Sequence, residues 1–169
     1  MYKVSLIVLA LFLMGPVSFA GSISDLVSGN LELSKEIQKD IEGLSKIVKT
    51  SKVSTVEERQ AFHKKIKKAL KPIDKKFKKL SKTHKKINKD LDLTKGITDK
   101  ATLQSDLEEA LGKAKDYYME GYAELPDEQE KEYMHAIKQS VKQYGKSIDR
   151  LKEYNQYLSK LKKQLEKSE

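Results

Sequence analysis

The sequence contains no cysteine and no tryptophan. Without Cys there can be no disulfide framework, thiolate metal site or Cys nucleophile, so stability must come from packing alone. Glycine and proline are scarce, 8 and 3 in 169 residues, too few turn-formers for a protein of many short strands. Arginine occurs only at Arg59 and Arg150. The residue that grips phosphate bidentately and reads guanine edges is nearly missing, which argues against a nucleic-acid ligand. His63, His84 and His135 are the only histidines, and the single Glu132-x-x-His135 pair lacks the second Glu-x-x-His of a di-iron bundle. No Gly-rich phosphate loop, zincin motif or nucleophile elbow is present. These absences predict a non-enzyme that works by binding, with no cofactor and no metal.

Long hydrophobic runs are also rare. The one near the N-terminus, Val4 to Met14, follows Lys3 and precedes Ser18-Phe19-Ala20. That is the pattern of a signal peptide over residues 1–20, cleaved before Gly21. It leads to the expectation of a secreted, extracellular protein, with the bacterial periplasm as the alternative compartment and residues 21–169 as one domain. No later stretch approaches the ~18 apolar residues of a membrane span.

What the chain does have is charge and helical periodicity. Charged residues make up 35% and hydrophobic ones 38%, enough for a core beneath a large solvated surface. Apolar residues recur at steps of three and four in four segments. The first is Leu33, Ile37, Ile41, Leu44 and Val48, and the second runs from Phe62 through Ile73 and Phe77 to Leu91. The third runs from Leu103 to Leu125 and the fourth from Ile137 to Leu165. Short connectors make successive helices antiparallel neighbours. The expected fold is an all-α, elongated, up-down-up-down four-helix bundle with helices at about 23–50, 56–92, 98–125 and 126–166. An antiparallel coiled coil built from stripes two and four is the alternative. Pro72 lies inside the second stripe, which resumes in compatible phase at Ile73, so a kink is predicted there rather than a helix end. Ile23, Leu26 and Val27 precede the first stripe and are assigned to a tail or a dimer contact. A monomer or weak dimer is expected.

The charge is strongly segregated. The whole chain carries a formal +9, while 13 Lys against the single Asp74 lie between His63 and Lys89. The second helix is therefore the candidate anion-facing element, through Lys64, Lys68, Lys71, Lys75, Lys78, Lys79, Lys82 and Lys86. Its expected partner is an anionic surface, a glycan or an acidic protein. A smaller row, Lys138, Lys142, Lys146 and Arg150, repeats every fourth residue of the fourth helix. Glu108, Glu109 and Asp116 on the third helix are its expected internal counterions.

Seven of the eight tyrosines fall between Tyr117 and Tyr157. Most suit a core with the hydroxyl reaching its edge. In a loosely closed bundle, Leu107, Leu111, Tyr118, Tyr122, Ile137 and Tyr144 would instead line a slot for a lipid, a fatty-acid-like hydrophobic ligand. The Tyr-x-x-Leu-Pro-acidic corner at Tyr122 to Asp127, with the export signal and the missing Cys, resembles the small secreted helical lipid carriers of nematodes. No functional residue carries over from that resemblance.

Overall fold

The computed structural model describes residues 17–122, 126 and 129–167, with side chains from Ile23 onward. It contains four helices, α1 (Val17–Thr50), α2 (Val56–Leu93), α3 (Lys100–Gly121) and α4 (Glu130–Leu165), and no strand among the described residues. Most of the expected signal segment, residues 1–16, lies outside the described residues. The α1 backbone, however, is helical straight through the expected cut between Ala20 and Gly21. Ile23 and Val27 are 1% and 0% exposed. They extend the apolar stripe of α1 into the core and are not a free tail. The helical period simply continues upstream of Leu33.

Local signals explain where α2 begins. The Thr55 hydroxyl accepts from the Glu58 amide at 3.1 Å, and the Glu58 carboxylate accepts from the amides of Thr55 and Ser54 at 3.2 and 2.9 Å. This reciprocal cap satisfies donors that the first turn leaves open and contributes about 1 kcal/mol. Arg59, buried at the same end, donates to the carbonyls of Val53 and Ser54, both at 3.3 Å, and sits over the Tyr133 ring. It ties the α1–α2 connector to α4. In the next connector Gly96 has φ 93°, a left-handed conformation that L side chains rarely adopt.

Pro72 does not end α2. The helix runs on to Leu93, and Leu70, Ile73 and Phe77 on both sides of the proline remain buried. The missing proline N–H costs one internal bond, but both halves keep facing one shared core. At the other corner, α4 opens at Glu130 rather than at Pro126.

Antiparallel neighbours pack in the order α2, α1, α4, α3 around the bundle. The ring is unevenly closed. α3 on α4, α4 on α1 and α1 on α2 make broad interfaces, whereas α2 and α3 touch sparsely. α2 and α4 lie on a diagonal and meet through long side chains, as where the Phe62 and Tyr133 rings stand 6.2 Å apart. This is a bundle, and the alternative pairing of stripes two and four as a coiled coil does not occur. On the well-closed side, Gly121 admits the Tyr144 ring, because a Cβ there would lie 2.7 Å from a ring carbon.

Candidate functional site

Three features of the surface and interior are potential sites, and each is built by particular residues. The first is a polar node inside the core. Asn30 of α1 donates to the Leu80 carbonyl at 3.3 Å and to the Tyr154 hydroxyl at 3.0 Å. His84 of α2 places Nδ1 3.2 Å from that hydroxyl and Nε2 2.6 Å from the Glu108 carboxylate of α3. Nε2–H donates to the carboxylate, which can only accept, and Nδ1 lies within hydrogen-bond distance of the Tyr154 hydroxyl. One chain of hydrogen bonds thus crosses all four helices. His84 and Asn30 are each 1% exposed, and every ring nitrogen is used. The node is a packing device and leaves no ligand position.

The second feature is the Lys face of α2. All eight predicted anion-binding residues, Lys64, Lys68, Lys71, Lys75, Lys78, Lys79, Lys82 and Lys86, are exposed. None makes a salt bridge among the described residues, whereas Lys76, on the α1 side, is held between Asp40 at 2.8 Å and Glu36 at 3.0 Å. The hydrogen bond to Asp40 raises the Lys76 pKa. Helical register orders the rest: Lys64, Lys67, Lys71, Lys75, Lys78, Lys82, Lys85 and Lys89, spaced by three or four, form one stripe on the outward side of α2, away from its buried face, and Lys78, Lys82 and Lys85 of this stripe border α3. At 1.5 Å per residue the stripe is roughly 37 Å long. Only Asp74 interrupts it, and that carboxylate accepts from the Tyr118 hydroxyl at 2.9 Å.

The third feature opens beside the stripe. Where α2 and α3 fail to close, a half-open groove of about 570 Å³ lies between Phe77 on α2 and Tyr118 and Met119 on α3, with Tyr122 just past the end of α3. The Phe77 and Tyr118 rings, tilted by 31° with centroids 5.0 Å apart, form its base. Burial first, and the Asp74 hydrogen bond second, hold the Tyr118 phenol above its ordinary pKa. Met119 and Tyr122 are 55% and 41% exposed. Lys78, Lys82 and Lys85 line the α2 side and Lys115 the α3 side. A groove of similar volume between α1 and α4 is bordered by Lys35, Lys160 and Lys163 but has no aromatic lining.

The predicted hydrophobic-ligand residues divide accordingly. Tyr118 and Tyr122 line the α2–α3 groove, and Tyr144 stands behind Tyr118 with 6.2 Å between ring centroids. Leu107, Leu111 and Ile137 are in the closed core. The basic row of α4 is only partly neutralised from within. Arg150 pairs with Glu153 at 2.5 Å and Lys146 lies 4.9 Å over the Tyr117 ring. Glu109, an expected counterion, pairs with Lys113, and its pKa is lowered by Lys113 first and Arg150 last. Glu108 turns to His84 instead. Phe77, Met119, Lys85 and Lys115 were not among the sequence candidates, because their meeting depends on how α2 and α3 are placed. Among the described residues no cluster of His, Asp or Glu is arranged to hold a metal ion. No described helix is long and apolar enough to cross a membrane.

A family model described as the WASP-binding domain of sorting nexin protein matches residues 22–166, all of α2, α3 and α4 and nearly all of α1. The chain belongs to this family. No curated protein and no solved structure gives a significant match. Domains of this kind are typically cytoplasmic or membrane-associated, which overturns the secreted, extracellular or periplasmic localisation expected from residues 1–20. A short apolar run followed by small residues is not specific to a leader. The small residues Ala20 and Gly21, expected to flank the cut, here continue into α1. The description of this family is that of a binding domain.

Proposed function

We propose that the chain is a non-enzymatic helical module that binds an acidic protein partner along the Lys stripe of α2. The stripe itself carries the reading: eight lysines of one outward face have no counterions from the bundle, and three of them, Lys78, Lys82 and Lys85, border a helix–helix seam left thinly closed. Like charges at such spacings repel by a few tenths of a kcal/mol per pair. A sequence that keeps eight of them in line tolerates that cost where a partner offsets it. The family description, a WASP-binding domain, favours a protein as that partner. A fatty-acid carrier has less support, since Leu107, Leu111 and Ile137 fill the core instead of lining a slot.

The test is binding of an all-glutamate peptide of about twelve residues, long enough when extended to follow the stripe. Exposed ion pairs contribute roughly 0.2–1 kcal/mol each, so replacing Lys64, Lys67, Lys71 and Lys75 with Gln should weaken binding about tenfold. Replacing Lys138, Lys142 and Lys146 with Gln should change it less than about twofold by the same measure. Affinity should also fall with added salt, because screening shortens to about 8 Å at physiological ionic strength. Equal losses from the two variants, or none from the first, would show the stripe to be a solvated face.

A further inference from the structure

We infer that the groove between α2 and α3 is an anchor pocket for one large apolar side chain of an acidic partner segment. The inference rests on the stripe reading above and adds a second, chemically different contact to it. Two of the few large hydrophobic side chains exposed on the described surface, Met119 and Tyr122, stand together at this groove. Their apolar surface continues inward onto the Phe77 and Tyr118 rings. Buried within the same lining, the Ser81 hydroxyl has no hydrogen-bond partner in the folded chain. An apolar base with a charged rim is the composition of a small recognition pocket, and about 570 Å³ falls within the usual range.

Charge selects the occupant. Lys78, Lys82, Lys85 and Lys115 surround the apolar base, so a neutral hydrophobic ligand would leave the rim unused and a purely acidic chain would leave the base unused. A small amphiphile could satisfy both here but not the remaining length of the stripe, which runs from Lys64 to Lys89. An acidic segment that lies along α2 and turns one ring or long aliphatic side chain into the groove satisfies all of these. Interfaces of this design concentrate affinity in the buried anchor while the charged rim guides approach.

The chain has no Trp, so a Trp in the ligand reports its own surroundings. The probes are the all-glutamate peptide and the same peptide with one central Trp. With the wild-type chain, the Trp peptide should bind about tenfold tighter, the scale of a buried aromatic anchor, and its emission should shift to the blue. Met119→Ser combined with Tyr122→Ser should remove both the added affinity and the shift. Both positions are exposed, so circular dichroism of the double variant should match wild type, and all-glutamate binding should stay within about twofold because no charge changes. Absence of the blue shift in wild type, or its persistence in the double variant, overturns the anchor. Failure of the all-glutamate peptide to bind overturns the stripe reading separately, while the blue shift still decides the groove. Dodecanoate or anionic phospholipid vesicles displacing the Trp peptide at stoichiometric amounts would make an amphiphile the occupant and overturn the assignment.

Discussion

Replacing Tyr154 with Phe removes a single oxygen that two buried partners use. Asn30 keeps its bond to the Leu80 carbonyl, but His84 Nδ1 is left facing an apolar ring. An unsatisfied buried polar group costs about 1–3 kcal/mol, and the urea midpoint of Tyr154→Phe should fall by a matching amount. Gly121→Ala should cost a similar ~1–3 kcal/mol, because overpacking displaces the Tyr144 ring from α3. Tyr118, Tyr144 and Tyr154 also share an electrostatic property: burial, first among the causes, raises each phenol's pKa above the ordinary value of 10.0. The folded chain therefore keeps them protonated where the unfolded chain ionises them. The stability they contribute should be complete below pH 10 and decline as pH rises above it. Denaturant titrations on either side of pH 10 should show that decline, with Tyr154→Phe showing less of it.

Among the elements, α2 carries both the charge and the only internal proline of the described helices. Pro72→Ala restores a donor to the Lys68 carbonyl and removes a ring clash, against a small gain in unfolded-chain entropy, so stability should rise by about 1–2 kcal/mol. A thermal melt of the variant checks this, and an unchanged or lower midpoint would mean that the helix accommodates the proline without strain. The helices themselves were legible because each apolar stripe is long and unbroken. Phe62 to Leu91 could hardly be anything but one face of a helix. The partners of His84 were not legible, since Glu108, Tyr154 and Asn30 come from three other helices and their meeting depends on relative registers that no stripe encodes. For the same reason the stripe of lysines could be counted in sequence, but the groove beside it could not be located. Short connectors indicate that α2 and α3 are neighbours, not that they stand apart.

At the scale of the molecule, the bundle is well closed on three sides and open on the fourth, and charge follows that asymmetry. A basic stripe and an apolar groove share the open side, which is what a surface for an acidic, apolar-anchored chain requires. The localisation shows how a compact N-terminal pattern misleads. Lys3, the Val4–Met14 run and Ala20 satisfy a leader template, yet the family that matches residues 22–166 is typically cytoplasmic or membrane-associated. The central claim is that one face binds. Amide chemical-shift mapping during titration with the all-glutamate peptide tests it most directly. The account predicts shifts concentrated on residues 64–89 of α2 and 115–122 of α3, with the α4 row from Lys138 to Arg150 unmoved. Shifts gathered instead around Lys35, Lys160 and Lys163, or spread evenly over every lysine, would contradict it.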